Sequence, residues 1–378
     1  MKSNTILFYS EGFYPAVGGS EIFVMRLAKE LDRQGHNVAV LTYQLTKELK
    51  REERVNGIIV YRVPHPGMRI IGEFVGIFNT LWFIIRNLKN IRLLHIHGVG
   101  STAAMIAILG TIFNFNVFVH LPGCETYSHN YKNYLRRLFV WNSIKLATCF
   151  IAISSEIENF LLDLKIPKEK IVRIPYGVVS PENIQRIEKS NGTNYSKIAV
   201  FVGRLVPVHK GLETLLPAWK HVCERRDDCQ LWIVGDGYFR QELESLARNL
   251  DISSRIKFWG MIEDVFPYLK TADLFVMASN YEGLPIALLE AMSIGSTIAV
   301  TAVSGALDII EHERNGLLVP PQKPEALADA IETVFDNPDL AHRMGKAAEE
   351  TIARNFSMET ITKKHLDVYS SYINNRIS

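Results

Sequence analysis

Residues 274–295 read LFVMASNYEGLPIALLEAMSIG and indicate a strand, a loop and a helix in immediate succession. The apolar run LFVMAS is typical of a strand buried on both faces, as in a parallel sheet. Pro285 suits the first turn of a helix, and Gly295 suits the residue after its end. Glu282 therefore lies in the loop and Glu290 in the helix. Because such sheets bind ligands beyond the carboxyl ends of their strands, the two carboxylates are candidates for a binding site.

The same alternation of apolar strands and amphipathic helices runs along the whole chain. In the first half the strand-like runs are ILFYS, HNVAVLT, IIVYRV, RLLHIH, NVFVHL, CFIAIS and IVRIP, and in the second half they are KIAVFVG, QLWIVG, RIKFWG, LFVMAS, STIAV and GLLVP. The segment between the two halves is polar, rich in Ser and Asn, and has no apolar periodicity.

This pattern predicts an α/β protein made of two Rossmann-like, doubly wound domains that face each other across a cleft. We assign residues 1–180 to the first domain, 181–196 to a linker and 197–355 to the second domain. We expect residues 356–378 to form a C-terminal helix that crosses back to the first domain.

Length and composition are those of a folded enzyme. The chain has 378 residues, of which 47% are hydrophobic and 22% charged, and a single core rarely extends to that length. Residues 1–180 carry 21 basic and 13 acidic side chains, and residues 181–378 carry 21 and 27, so the net charge of +2 conceals a basic and an acidic half. The basic half suits an anionic membrane or a phosphate-bearing acceptor. Chance divergence of two adjacent domains remains the alternative.

The cysteines and the N-terminal segment favour a cytoplasmic protein. Cys124, Cys149, Cys223 and Cys229 show neither a CxxC pair nor metal-ligand spacing, which fits a reducing compartment. The opening MKSNTILFYSEGF lacks the apolar stretch of a signal peptide. Residues 103–119 fall short of the roughly 20 apolar residues of a membrane span, so we expect a buried helix followed by a buried strand.

The glutamate segment combines an anion site with groups that bind hydroxyls. The loop amides of Gly283 and Leu284 and the helix N-terminus suit an anion. A carboxylate beside a phosphate would be repelled, so Glu282 and Glu290 are better suited to accept hydrogen bonds from hydroxyl groups. A phosphate joined to a polyhydroxyl group describes a nucleotide sugar. An exposed loop glutamate and an ordinary helix glutamate are the alternative.

Two further motifs suit phosphate. In FVGRLVPVHKG, Arg204 follows a strand and Lys210 begins a helical segment, so two fixed cations could bind a diphosphate and stabilise it as a leaving group. In AVGGSEIF, Gly18 and Gly19 lie between the first strand and the first helix, where paired glycines allow a ligand to approach the backbone. A tight turn explains the glycines equally well.

The histidines and a second glycine motif give weaker signals. His120 ends the strand NVFVH, where a neutral imidazole could bind a sugar hydroxyl, although a lone histidine is more often structural. His95 and His97 lie two apart on a strand, and without a partnering cluster we predict no metal site. VGDGYFRQEL has Arg240 where a dinucleotide fingerprint needs glycine, so it predicts a turn.

Taken in order, GGSE, HLPGCE, GRLVPVHKG, VGDG, YEGLPIALLEAMSIG and NGLLV resemble the retaining, GT-B-fold glycosyltransferases of family 4 (glycosyl transferases group 1) over essentially the whole chain. The pair of glutamates with an upstream GRL…KG is the more specific part. The chain departs from the family at Pro175-Tyr176-Gly177 and at Ser304-Gly305-Ala306, which leaves the identity of the donor open.

The resemblance implies a role for each candidate residue. Arg204 and Lys210 would hold the donor diphosphate, Glu282 would contact hydroxyls of the transferred sugar, and Glu290 would bind the ribose. The remaining implied contacts are His120 at the donor sugar and reaction centre, Gly18 and Gly19 over the phosphates, and the backbone around Met261 and Ile262 at the base. The family generally needs no divalent metal, so we expect neither a metal nor a cofactor besides the nucleotide-sugar donor.

We therefore expect transfer of a sugar from a nucleotide-sugar donor, with a UDP-sugar as the expected donor, to an acceptor hydroxyl with retention of configuration, in cell-surface glycan or glycolipid synthesis. The alternatives are a nucleotide-sugar epimerase of GT-B type and an NAD-dependent oxidoreductase. Residues 131–145, YKNYLRRLFVWNSIK, predict a basic amphipathic helix that could contact the inner face of an anionic membrane and a lipid-linked acceptor. A core-packed helix with a solvated edge is the alternative. Nothing indicates a nucleic-acid partner.

Overall fold

The computed structural model describes residues 1–15, 18–67, 71–123, 134–188 and 195–374. The predictions for Cys124, for the start of the basic helix at 131–133 and for linker residues 189–194 lie outside the described residues. The chain divides into two compact units, Met1–Gly177 with Met358–Ser378, and Val178–Ser357.

The first unit contains an eight-stranded sheet. Its strands are β1 (Thr5–Ser10), β2 (Val38–Gln44), β3 (Glu52–Val55), β4 (Ile58–Pro64), β5 (Ile91–His97), β6 (Val117–Leu121), β7 (Cys149–Ala152) and β8 (Ile171–Arg173). They lie in the order β3-β4-β2-β1-β5-β6-β7-β8. The ladders are parallel except for the antiparallel pair β3 and β4.

Helices connect these strands and cover the sheet. They are α1 (Gly19–Arg33), α2 (Ile71–Asn87), α3 (Ser101–Ile112), α4 (Tyr134–Ile144) and α5 (Ser155–Asp163), and the C-terminal helix α13 (Met358–Asn374) belongs to the same unit. β1, β2 and β6 are almost entirely buried, as expected for central strands of a covered parallel sheet. Residues 103–119 form most of α3 and the start of β6, as the sequence predicts.

The second unit contains a six-stranded parallel sheet. Its strands are β9 (Lys197–Val202), β10 (Cys229–Val234), β11 (Ile256–Gly260), β12 (Leu274–Met277), β13 (Ile298–Thr301) and β14 (Leu317–Val319). Its helices are α6 (Leu212–Arg225), α7 (Arg240–Asn249), α8 (Phe266–Thr271), α9 (Ile286–Ser293), α10 (Ser304–Leu307), α11 (Pro324–Asp336) and α12 (Pro338–Asn355). The strand order is β11-β10-β9-β12-β13-β14. Counted within the unit, this is the order 3-2-1-4-5-6 of a dinucleotide-binding Rossmann fold.

A large apolar core holds the second unit together. It joins the buried faces of α6 and α11 to the sheet, and Trp219 of α6 lies at its centre without exposed surface. The Trp219 indole N–H donates to the carbonyl oxygen of Arg255 at 3.1 Å, so burial of this large ring leaves no polar atom unpaired. This core makes a rigid base for the loops at the carboxyl edge of the sheet.

Hydropathy along the helices bears on membrane insertion. Among the helices that the structure describes, none combines the length and apolar character needed to cross a bilayer.

Candidate active site

The strand order of the second sheet decides where a ligand can bind. Connections leave β9 toward one side and β12 toward the other, so the loops after these two adjacent strands diverge and leave a crevice between them. The loop after β9 carries Arg204 and Lys210, and the loop after β12 carries Glu282. Residues that are 72 positions apart in sequence are thereby brought together.

Glu282 is the centre of a small polar cluster in this crevice. Its Oε1 accepts hydrogen bonds from Lys210 Nζ at 2.6 Å and from Ser279 Oγ at 2.8 Å. Both the lysine and the glutamate side chains are largely buried, which strengthens the ion pair relative to one in open water. Because both hydrogen bonds between described residues go to Oε1, Oε2 is left for a ligand hydroxyl.

Backbone contacts fix the two loops against each other. The Asn280 N–H donates to the carbonyl oxygen of His209 at 2.9 Å, and its side-chain amide donates to that of Val208 at 2.5 Å. Gly211 lies at φ +59°, and a Cβ there would be 1.9 Å from the carbonyl oxygen of Ala278. Only glycine permits this approach, so Gly211 sets the position of the neighbouring Lys210.

The loop after β10 is attached to the same edge by glycines. A Cβ on Gly235 would lie 1.9 Å from the carbonyl oxygen of Gly203, and one on Gly237 would lie 2.2 Å from that of Leu205. The VGDG motif is therefore a close-packed turn, as predicted. Arg204, between these contacts, is exposed.

The residues predicted to meet the base follow β11 at the same edge. β11 ends at Gly260, and Met261 is exposed beyond it while Ile262 is half-buried. Their role in binding the base stays a prediction. Their location beyond a carboxyl strand end is the one that the fold assigns to ligands.

Helix α9 ends as the sequence predicts and begins one residue later, because Pro285, expected in its first turn, is extended and forms the N-cap. Pro285 precedes its first residue, Gly295 lies just beyond its end at φ +71°, and Glu290 lies within it. Glu290 is only 7% exposed. Gly305 packs so closely on the loop before the helix that a Cβ there would be 2.6 Å from the carbonyl oxygen of Gly283. This contact positions Gly283 and Leu284, whose amides precede the free N–H groups of the helix.

In the first unit, Gly18 and Gly19 lie at the N-terminus of α1. The Gly18 N–H donates to Glu21 Oε2 at 2.7 Å. A carboxylate thus already occupies part of this helix end, and a phosphate bound there would meet its negative charge. Closure of this segment over donor phosphates stays a prediction.

His120 lies in a buried cluster with three other histidines. The four rings are those of His95, His97, His120 and His365, and His97 stacks on His120 with centroids 4.5 Å apart. Burial, and to a smaller extent the neighbouring imidazoles, lowers the pKa values of His95, His97 and His120, to about 3 for His97. Burial alone lowers the pKa of His365 to about 3. His120 has no exposed surface, so its predicted contact with a donor sugar would require the surrounding side chains to move.

The histidine cluster is also the set of described residues that best fits a metal ion. Ring nitrogens of His95, His97 and His120 lie within 4.8 Å of one another. A tetrahedral zinc ion with bonds of about 2.1 Å would need them about 3.4 Å apart, which lies within that limit. The expectation of no metal site therefore stays a prediction.

A polar cavity of about 260 Å³ lies at the corresponding switch point of the first sheet, between the loops after β1 and β5. Its lining comprises Glu11, Tyr43, His65, Glu73, Val99, Gly100, Ser101 and Arg136. Desolvation and, to a smaller extent, the charge of Glu73 raise the pKa of the Glu11 carboxyl. Arg136 pairs with Glu73 and donates through Nε to Ser101 Oγ at 3.2 Å.

Sequence reasoning missed several of these residues. Ser279 and Asn280 follow β12, and their position just beyond a carboxyl strand end is the signal that could have identified them. The cavity in the first unit joins loops and helices far apart in sequence, and no local pattern marks it.

Comparisons with known proteins agree with this architecture. The model for Glycosyltransferase Family 4 matches residues 17–180, and the model for Glycosyl transferases group 1 matches residues 183–351. An uncharacterised glycosyltransferase of Methanocaldococcus jannaschii is 28% identical over 376 residues, which cover 93% of this chain and 94% of the relative.

Solved structures show the same fold. A sucrose-phosphate synthase of Thermosynechococcus elongatus superposes with a TM-score of 0.83 at 22% identity, covering 98% of this chain and 100% of the other. Anabaena HepE, in complex with UDP-glucose, superposes with a TM-score of 0.78 at 19% identity, covering 97% and 99%. With family models that account for both halves and these neighbours of the GT-B fold, the chain belongs to the group 1, family 4 glycosyltransferases.

Proposed function

We propose that this glycosyltransferase moves a sugar from a UDP-sugar to an acceptor hydroxyl with retention at the anomeric carbon. The observation that carries the proposal is the Lys210–Glu282–Ser279 cluster at the switch point of a Rossmann sheet. The complex of HepE with UDP-glucose supports the choice of UDP. We also propose that the product belongs to cell-surface glycan or glycolipid synthesis.

The cluster suits a donor with both phosphate and hydroxyl groups. The Lys210 ammonium has three N–H donors, so it can hold Glu282 and still donate to a diphosphate. Arg204, exposed on the same loop, supplies a second cation. As the bond between sugar and diphosphate breaks, both would stabilise the charge on the leaving group. Glu282 would meanwhile orient the sugar by accepting from its hydroxyls.

We further propose that the reaction is a front-side displacement that needs no metal. The diphosphate then leaves on the face that the acceptor attacks, and the rate depends on positioning and on fixed charges. Turnover that is unchanged by EDTA would support the proposal. Turnover that disappears with EDTA and returns with Mg²⁺ would overturn it.

The test of the donor site is a calorimetric titration of UDP, with GDP and ADP as comparisons. We expect selective UDP binding by the wild type and weaker binding by Glu290→Ala, because the ribose would lose its carboxylate. Glu242→Ala, an exposed glutamate on α7, is the matched control and should bind as wild type. Selectivity for GDP or ADP would show that the donor carries that nucleotide instead of UDP. If none of the three nucleotides binds, the proposed donor site is wrong.

Product analysis separates transfer from the alternative of epimerisation. An epimerase would convert the UDP-sugar without an acceptor, whereas a transferase would form a glycosylated acceptor and release UDP. The family assignment favours transfer over both the epimerase and the NAD-dependent oxidoreductase.

We propose that the enzyme acts in the cytoplasm, where the reduced state of Cys149, Cys223 and Cys229 would be maintained.

We propose that the acceptor binds the polar cavity of the first unit, since Glu11 and Glu73 can accept hydrogen bonds from acceptor hydroxyls. Contact with an anionic membrane, predicted for residues 131–145, is a separate proposal that depends on the exposed surface of α2 and α4.

A further inference from the structure

Helix α2 buries three small residues together with Ile84 and exposes several of its large apolar residues. The buried positions include Gly72, Gly76 and Thr80, spaced four apart. At Gly76 a Cβ would lie 2.8 Å from the ring of His65 and 2.9 Å from that of Tyr43, so the helix backbone lies directly on the unit. A helix that only covered a core would bury its large residues instead.

The outward face of α2 is a stripe of exposed aromatic side chains. Phe74, Phe78 and Trp82, also spaced four apart, are 71%, 66% and 50% exposed. Aromatic side chains of this size present on the order of 200 Å² each. The stripe therefore exposes an apolar area as large as those that mark interaction sites on monomeric proteins.

Helix α4 extends this surface. Leu135, Leu138 and Phe139 are exposed along it, and the ion pair between Arg136 of α4 and Glu73 of α2 joins the two helices. We call the exposed residues of α2 and α4 the α2–α4 face. Tyr134, Ile71 and Ile85 belong to it as well.

The charges around the α2–α4 face are almost all positive. Residues 71–90 and 134–145 contain five basic side chains, Arg86, Lys89, Arg136, Arg137 and Lys145, against one acidic side chain, Glu73. The Arg86 guanidinium lies 5.1 Å from the centre of the Trp82 ring. Aromatic rings combined with long basic side chains suit the boundary between lipid tails and anionic headgroups.

We propose that the α2–α4 face docks on an anionic lipid bilayer, so that the acceptor is a lipid with a hydroxylated headgroup. A lipid acceptor rests on the proposed function, in which this protein transfers a sugar to a hydroxyl group. Glu73 and Arg136 line the polar cavity and also belong to the helices of the face. A headgroup could thus enter the cavity from the surface on which the helices lie, without leaving the bilayer.

The test is flotation of the full chain with vesicles of phosphatidylcholine that contain phosphatidylglycerol, or none. We expect binding only to the anionic vesicles, and weaker binding as salt rises. The triple variant Phe74→Ser/Phe78→Ser/Trp82→Ser should reduce the bound fraction at least about tenfold, because each serine removes apolar area that docking on the bilayer would bury. Leu45→Ser/Val179→Ser, which alters exposed apolar residues outside the face, should float as wild type.

A charge variant guards against misfolding of the triple variant. Arg86→Glu/Arg137→Glu keeps the aromatic stripe and should lose the dependence on phosphatidylglycerol. Hydrogen exchange of peptides from β5 and β6 shows whether the first unit, which carries the substitutions, is folded in every variant, and UDP titration reports on the second unit. Wild type that fails to float at low salt, or a triple variant that floats as well as wild type, would overturn the proposal.

The result also separates this proposal from that of the donor site. Flotation without UDP binding would leave a membrane-docking protein whose proposed reaction is wrong. UDP binding without flotation would leave the reaction and make the acceptor water-soluble. A wild-type dimer in light scattering, monomeric in the triple variant and not bound to vesicles, would assign the face to self-association and overturn docking.

Discussion

Acidification should destabilise the first unit through its four buried histidines. In the folded protein burial lowers their pKa values below the ordinary value of 6.5, to about 3 for His97 and His365, and also lowers those of His95 and His120. The unfolded chain, with pKa values near 6.5, takes up protons first as the pH falls. Stability is therefore fully present above about pH 7 and is lost as the pH falls toward 3.

The expected magnitude is large. Between pH 7.5 and 5.5, each histidine that is protonated only in the unfolded state should cost about 1.3 kcal/mol. Four such groups give an upper value of about 5 kcal/mol, which is comparable with the total stability of a domain. Most carboxylates titrate below this range, so the histidines dominate the change.

The assay is urea unfolding at pH 7.5, 6.5 and 5.5 with EDTA present, followed by pulsed hydrogen exchange and mass spectrometry. Peptides from β5 and β6 report on the first unit, and peptides from β9 and β12 report on the second. We expect the unfolding midpoint to fall with pH for the first pair and to change much less for the second.

Variants identify the groups responsible. His365→Phe removes one buried imidazole and should reduce the pH-dependent loss by about 1.3 kcal/mol. His312→Gln, at an exposed position, should not alter it. A first unit equally stable at pH 7.5 and 5.5, or an unchanged pH dependence in His365→Phe, would show that the cluster takes up protons without unfolding and would refute the reasoning.

Three substitutions in the second unit test the loops and the core. Lys210→Met should lower turnover about 10²–10³-fold, measured as UDP release, whereas Lys220→Met, at a partly exposed position of α6, should not; equal turnover would remove Lys210 from the site. Gly211→Ala forces a Cβ to 1.9 Å from the carbonyl oxygen of Ala278 and should cost about 3 kcal/mol or more in urea unfolding; a cost below about 1 kcal/mol would show that the loop relaxes freely. Trp219→Ala should cost about 3–5 kcal/mol, and an unchanged urea midpoint would contradict its central place in the core.

The fold could be predicted because each buried parallel strand is visible in the sequence as a short apolar run. Each of the thirteen apolar runs named from the sequence overlaps a strand of the structure, since a strand covered on both faces must be apolar throughout. The strand that the sequence missed is β3, which reads EERV and is an exposed edge strand paired antiparallel with β4. Edge strands are often charged, so hydropathy does not reveal them.

The candidate site could be predicted only in part. Glu282, Lys210 and Arg204 follow strand ends, and position relative to a strand is readable from sequence. The histidine cluster could not be predicted from the sequence. His120 comes close to His95 only through the register of the sheet, and His365 only through the packing of α13. Likewise, the outward aromatic stripe of α2 has the same periodicity as an inward one. Which side a helix buries depends on Gly72 and Gly76 fitting against the unit.

Under the proposed function, the position of Glu282 explains how a carboxylate can belong to a site for a diphosphate donor. Alone in a half-buried crevice it would repel the diphosphate, and Lys210 alone would bind phosphate whether or not a sugar were attached. Paired at 2.6 Å, the charges of Lys210 and Glu282 nearly cancel at a distance, so a bare phosphate would be attracted mainly by Arg204. A donor that brings hydroxyls to Glu282 and phosphate to Lys210 together satisfies both, because each ligand group meets the member of opposite polarity. Under the proposed function, the pair would therefore favour the joined nucleotide sugar over its separate parts, with the hydrogen bond from Ser279 holding Glu282 in place.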